Sequence, residues 1–123
     1  MKMLQPKIYV KDKNKVYDTQ VIDYKHKMVI FFDNETQCTY TRLFNEIEFM
    51  ENTGYVDINK KHIYVGDIVE ILGVYFEVKY KALKGYVIKN KEYTLSLEYN
   101  FDCVSVVGNI YENKELVELC TNY

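Results

Sequence analysis

The sequence has 123 residues, 48% hydrophobic, 28% charged and 15% aromatic, with a net charge of -2 and a pI near 5.7. That composition fits one ordinary domain or two very small ones, and it excludes a disordered chain and a strongly basic nucleic-acid binder. No apolar run approaches the ~18 residues of a membrane span, and residues 1–6 lack a signal-peptide core, so a cytoplasmic protein with no membrane partner is expected.

Taken in chain order, a short strand is predicted over 7–10, with a polar turn at 11–15. One strand over 16–24, a turn at 25–27, an apolar strand over 28–32 and a returning strand over 38–42 complete an antiparallel meander. Residues 43–50 read as a turn leading into a strand, because Leu43, Ile47 and Met50 fit a helical turn while 46–49 alternate. Turns follow at 52–54 and 57–61, Ile63-Tyr64-Val65 precedes Gly66-Asp67, and five strands come at 68–72, 74–80, 86–89, 93–99 and 103–107. The two-residue period is cleanest in Tyr93, Leu95, Leu97 and Tyr99. This run of short strands and tight turns predicts a small closed or half-closed barrel. A last element, a short helix, is predicted after Asn113, which can cap it, with Leu116, Leu119 and Cys120 on one face. The organisation expected is therefore mainly β: an N-terminal subdomain over 1–50, a barrel over 51–112, and a helix and tail over 113–123. Thirteen Tyr and six Phe beside a single Ala, Ala82, agree with that strand bias.

Charge comes in blocks: +4 over residues 1–30, -6 over 31–78, +5 over 79–91 and -5 over 92–123. The third block is the candidate binding surface: Lys79, Lys81, Lys84, Lys89 and Lys91, interleaved with Tyr80 and Tyr86 at a predicted hairpin. Small barrels can track single-stranded nucleic acid with a cationic groove and aromatic platforms. The alternative is a solvated hairpin with both tyrosines facing the core. The acidic remainder and the single arginine, Arg42, favour the second reading for nucleic acid. Changing Lys81, Lys84 and Lys91 to Gln is then expected to leave both the fold and partner binding nearly intact; if the same patch meets an acidic face on a protein, the loss is expected as a slower, less salt-sensitive association.

Catalytic patterns were sought as well. The sequence has no glycine-rich phosphate loop and no Gly-x-Ser-x-Gly elbow. His26 and His62, each beside lysine, read as residues of exposed turns, and a Cys103–His62 dyad would lack a third, orienting group. Cys38, Cys103 and Cys120 are odd in number and widely spaced, which suits reduced thiols rather than a disulfide framework or a zinc site. No catalytic residue, metal or cofactor is expected.

Three blocks carry a family resemblance. They are Phe49-Met50-Glu51-Asn52-Thr53-Gly54-Tyr55-Val56-Asp57, Ile63-Tyr64-Val65-Gly66-Asp67-Ile68-Val69-Glu70, and Val107-Gly108-Asn109-Ile110-Tyr111-Glu112-Asn113 with Glu115-Leu116 after it. In order and spacing they resemble the YopX family of phage and prophage proteins. Members open with a Phe-Arg-Ala-Trp-Asp-like stretch, where this sequence reads Ile8-Tyr9-Val10-Lys11-Asp12, and Lys114 stands where a proline is usual. The resemblance implies a mostly-β protein whose second half looks like an SH3-type barrel, an accessory phage product of undefined activity. It brings no catalytic residues. Thr53, Gly54, Tyr64, Gly66, Asp67, Gly108, Asn109 and Tyr111 are read as fold signatures: Gly54 and Gly66 for turns needing φ > 0, Asp67 for binding turn amides, Gly108-Asn109 for a bend toward Asn113. The expected function is non-enzymatic contact with a host or phage protein, with a nucleic-acid-binding barrel as the alternative. Self-association through open strand edges, including the apolar run 28–32, is expected too.

Overall fold

The structure, a computed structural model, describes residues 4–121, which belong to two compact units that meet between Glu51 and Asn52. Residues 1–3 and 122–123 lie outside the described residues, so those ends of the first and last predicted segments are not assigned.

The first unit contains β1 (Lys7–Val10), β2 (Lys15–Asp18), β3 (Val21–Asp23), β4 (Met28–Asp33), β5 (Cys38–Leu43) and β6 (Ile47–Met50). They form two three-stranded antiparallel sheets, ordered β2-β1-β6 and β3-β4-β5, rather than the single meander expected. The difference lies in β6, which returns to pair with β1 across most of the unit's sequence. The strand expected over 16–24 is two strands. It breaks at Thr19-Gln20, where the Thr19 hydroxyl donates to the Pro6 carbonyl at 3.0 Å and the Gln20 N–H donates to the Ile30 carbonyl at 2.9 Å. Alternate residues of β1 and β4 go inward, so Ile8, Val10, Val29 and Phe31 are buried together with Ile47. A 3-10 turn at Phe44–Glu46 leads into β6, and the Glu46 carboxylate accepts the Leu43 N–H at 2.8 Å.

Charges in this unit are matched. Arg42 donates to both carboxylate oxygens of Asp12 at 2.9 Å. Lys13 reaches Asp33 at 3.3 Å and lies 3.9 Å from the centre of the Tyr40 ring, while Lys11 pairs with Glu48 at 3.6 Å. Lys15 pairs with Glu35. Burial pushes the Asp33 carboxyl up, but the Glu35 N–H, the Lys13 ammonium and the Tyr17 hydroxyl together hold it below the usual aspartate range. The Arg42 hydrogen bonds likewise lower Asp12.

The second unit contains β7 (Asn52–Val56), β8 (His62–Tyr64), β9 (Asp67–Ile71), β10 (Val74–Lys81), β11 (Gly85–Lys89), β12 (Thr94–Ser96), β13 (Ser105–Asn109) and α1 (Lys114–Thr121). β7 and β8 pair with each other, and the other five form an antiparallel sheet ordered β12-β11-β10-β9-β13. The sheet is open, with β12 and β13 as its edges, so of the closed or half-closed barrel expected, the closed form is not made by strand pairing. Ile63, Val69, Phe76, Val78, Ile88, Leu97 and Val104 make the core, with Tyr86 and Leu95 packed against it. The loop after β7 covers one edge. Buried Asp57 accepts the Val106 N–H at 2.8 Å, as well as the N–H groups of Asn59 and Lys61 at 2.8 Å, and Ile58 donates to the Val104 carbonyl at 3.0 Å.

Five predictions for this half are corrected. Residues 52–54 are not a turn but the start of β7, where an irregular register accommodates Gly54 at φ +84°. The alternation over 93–99 yields only β12, because the Asn100 amide donates to the Ser96 carbonyl at 2.6 Å and the chain turns into a 3-10 segment at Phe101–Cys103. That segment also takes Cys103 out of the last strand, which starts at Ser105. In α1 the inward residues are Leu116, Val117 and buried Cys120, while Leu119 is exposed. The Asn113 side chain does not bond a helix N–H; it accepts the Asn109 N–H at 3.0 Å. The helix packs on β10 and β13 within the second unit. No helix among the described residues is long and apolar enough to cross a membrane.

Candidate functional site

The basic segment forms the β10–β11 hairpin, joined by a loop of Ala82, Leu83 and Lys84. Its register pairs Lys79 with Val87, Tyr80 with Tyr86, Lys81 with Gly85 and Glu77 with Lys89. Because side chains alternate across a strand, Glu77, Lys79, Lys81 and Lys89 share the outer face. Phe76, Val78, Tyr80, Tyr86 and Ile88 share the inner one, where Phe76, Val78 and Ile88 are buried. The lysines and tyrosines read as one surface are therefore divided. Tyr86 packs against the core and meets the exposed Tyr80 edge-on with ring centres 5.2 Å apart, on the face opposite the lysines. The solvated-hairpin expectation holds for Tyr86 facing the core and is corrected for Tyr80, which the strand end carries beyond the core's cover.

Lys84 stands exposed at the tip, and the Lys84 N–H closes the loop on the Lys81 carbonyl at 3.1 Å. The lysines crowd one another. The Lys81 pKa is held below that of an ordinary lysine first by the charge of Lys89 and contact with it, then by partial burial and by Lys84 and Lys79. Lys79 reaches Glu77 at 3.9 Å. Between this outer face and the end of α1 runs a groove of about 250 Å³, lined by Glu77, Lys79, Lys89, Asn90, Lys91, Cys120 and Thr121. The Lys91 N–H donates to the Cys120 carbonyl at 2.9 Å, which fixes the groove floor. The buried Asn90 side chain accepts the N–H groups of Glu92 and Tyr93 and donates to the Tyr75 carbonyl. The arrangement offers cations on a rigid sheet, suited to an anionic partner.

A second concavity of about 350 Å³ is lined by Ile71, Leu72, Val74, Phe76, Tyr93 and Leu95. Sequence reasoning missed it, and it missed a trait shared by two hairpin tips. Leu72 (φ +49°) and Leu83 (φ +72°) are both fully exposed leucines in left-handed backbone. That conformation costs a residue with a side chain roughly 1–2 kcal/mol and is ordinarily given to Gly, Asn or Asp.

The motif residues converge at Gly66. The buried Thr53 hydroxyl donates to the Ile63 carbonyl at 2.7 Å, and the N–H of buried Tyr64 donates to Asp67 at 2.8 Å. Gly66, at φ +100°, donates to the Val78 carbonyl at 3.0 Å and accepts the Ile110 N–H at 2.9 Å. Asn109 pairs with Asp67 across β13 and β9, and its side-chain oxygen accepts the N–H groups of Tyr111 and Glu112. Gly108 does not need positive φ. A Cβ there would lie 2.5 Å from Asn113 Oδ1 and 2.9 Å from a Leu116 methyl, so glycine lets α1 approach.

The remaining reactive groups are dispersed. His26 sits 2.8 Å from the Asp23 carboxylate in an exposed turn, whereas His62, expected in a turn, begins β8. All three cysteines are free thiols. The Asp102 carboxylate beside Cys103 raises that thiol's pKa, and burial pushes Cys120 up to about 11, so neither is activated as a nucleophile. Among the described residues no group of three or more His, Cys, Asp or Glu is placed to hold a metal ion.

Comparison with known proteins adds the following. The crystal structure of protein EF1440 from Enterococcus faecalis is similar in fold, with a TM-score of 0.61 at 18% identity, covering 93% of this chain and 97% of that one. No curated protein matches. The family model described as YopX protein matches residues 4–118, a span that takes in both units and all three motif blocks around Gly66. On that match the chain belongs to the YopX family.

Proposed function

We propose that the protein is a non-catalytic interaction module of phage origin, acting in the host cytoplasm by binding an acidic protein through the outer face of β10–β11. The observation that carries this reading is the gathering of Lys79, Lys81, Lys84 and Lys89 on one face and tip of the β10–β11 hairpin. A nucleic-acid groove would need cations and aromatic platforms on the same surface. Here Tyr80 and Tyr86 occupy the opposite face from the lysines. Lysine without arginine gives point charges suited to steering an acidic protein rather than bidentate phosphate contacts. The five antiparallel strands fit an SH3-type module left open between β12 and β13, which presents the hairpin from a stable base.

The test compares the parent with a Lys79→Gln, Lys81→Gln, Lys89→Gln variant in affinity capture from host lysate across a salt series, alongside gel shifts with single-stranded and duplex oligonucleotides. A specific protein retained by the parent, weakened by salt and lost by the variant supports the reading. Micromolar oligonucleotide binding by the parent that collapses in the variant contradicts it.

A further inference from the structure

Building on the reading of the β10–β11 face as a protein-binding surface, we infer that Leu83 is the apolar anchor of that surface, and that its partner is an acidic polypeptide segment carrying apolar side chains between its carboxylates. Leu83 stands fully exposed at the hairpin tip, with Lys84 next to it and Lys81 closing the same loop. It is doubly unfavourable in the free protein. Its backbone is left-handed at φ +72°, and its side chain has no apolar neighbour to cover it. Glycine or asparagine would serve the turn better. Leu72 shares both traits; what distinguishes Leu83 is that it combines them with a place inside the lysine cluster, and that combination carries the inference.

The charge around the tip identifies the partner's chemistry. The segment 79–91 holds five lysines and no carboxylate, so the surface meeting Leu83 must be acidic. One leucine gives too little apolar area for stable membrane anchoring, which takes an amphipathic face or two lipid chains. Interfaces concentrate affinity in a few contacts that become buried on association, while charges around them set the association rate. Leu72 supplies an internal control. It is equally exposed and also left-handed, but it lies at the β9–β10 turn, beside Gly73 and away from the lysine cluster.

The experiment selects binders for the full chain from a display library of random linear peptides. It then measures the best peptide against the parent, Leu83→Asn, Leu72→Asn, and Lys81→Gln with Lys84→Gln. Asparagine tolerates the left-handed backbone, so melting temperatures confirm that both leucine variants fold. The expected peptides are rich in Asp and Glu around aliphatic or aromatic residues. Leu83→Asn should weaken them by about tenfold or more with an unchanged or raised melting temperature, and Leu72→Asn should not. The lysine variant should slow association and flatten its salt dependence. Acidic peptides that bind Leu83→Asn as tightly as the parent would overturn the anchor and leave the protein-binding reading standing. Failure to select acidic peptides, or selected peptides indifferent to the lysine variant, would overturn both. Vesicles of phosphatidylserine and phosphatidylcholine, and a single-stranded oligonucleotide, are measured at the same salt. Tighter binding to either than to the peptides, lost in Leu83→Asn, would overturn the assignment of a protein partner.

Discussion

In the first unit Arg42 grips Asp12 with two hydrogen bonds of 2.9 Å, and Lys13 bridges Asp33 and the Tyr40 ring. In the second unit Lys81 faces Lys89, Lys84 and Lys79. The contrast originates in where the buried carboxylates are used. Asp33 divides itself between a backbone N–H and Lys13, so a cation is matched as the sheet forms. Asp57 and Asp67 in the second unit bind backbone N–H groups instead, clamping the loop after β7 and the turn before β9. These two acids of the second unit are structural, and on the hairpin Lys79 has Glu77 at 3.9 Å while Lys81 is crowded by Lys89, Lys84 and Lys79. Charge that stabilises in one half is presented outward in the other.

That contrast can be broken from the largest effect downward. Phe31→Ala should cost the first unit about 3–5 kcal/mol, since Phe31 is fully buried between Tyr17 and Tyr40; chemical denaturation of the variant and parent measures it. Asp57→Ala should cost about 2–3 kcal/mol by orphaning three N–H groups, and it should loosen the edge at β13 without changing the hairpin's affinity for an acidic peptide. A loss of that affinity together with stability would mean that the structural acids and the presented lysines are not separable. Gly108→Ala should cost about 1–3 kcal/mol, because Asn113 must give up its bond to Asn109 or α1 must shift. Helical circular dichroism and amide shifts in residues 114–121 report it.

The pH response sharpens the same comparison. Asp12, Asp23 and Asp33 of the first unit all have pKa values below the ordinary 3.8. Their folded values are lower than their unfolded ones, so their contribution is fully present above about pH 4 and is lost as pH falls through the depressed values. Acid titration followed by residue-resolved NMR should therefore show the first unit losing stability progressively below pH 3.8. The smallest expected effect is Lys81→Gln. Relief of like-charge crowding should leave the melting temperature unchanged or slightly raised, where a stabilising lysine would lower it.

In the second unit β10 was legible because its buried residues, Phe76 and Val78, alternate with less buried ones. The period in Val74, Phe76, Val78 and Tyr80 carries directly into β10. The same period also separates lysines from tyrosines, so the split site was readable from spacing; treating the interleaved residues as one surface hid it. What failed depended on distant partners. Nothing local in 16–24 shows that Thr19 is held by Pro6, and nothing in 47–50 shows that β6 returns to β1. The run 93–99 alternates well, yet the Asn100 amide bends it after Ser96, and side-chain turn chemistry overrides strand preference there. On α1 Leu116 and Cys120 face inward as expected, but Val117 rather than Leu119 joins them, because residues 116, 117 and 120 and residues 116, 119 and 120 both form one helical stripe and periodicity alone does not choose between them. The exposed Leu72 and Leu83 were invisible in the sequence because a leucine between strands gives no sign of left-handed backbone.

The central claim is that the first unit's charges hold the fold while the hairpin's charges oppose it in the free protein. The most direct measurement is residue-resolved amide hydrogen exchange as salt is raised from roughly 0.01 M to 0.15 M, which shortens the screening length from about 30 Å to about 8 Å. The account predicts that protection in β1 to β5 falls or stays level, as ion pairs are screened, while protection in β10 and β11 rises. A fall in hairpin protection, parallel to that of the first unit, would show that the lysines are engaged within the fold and would contradict the account.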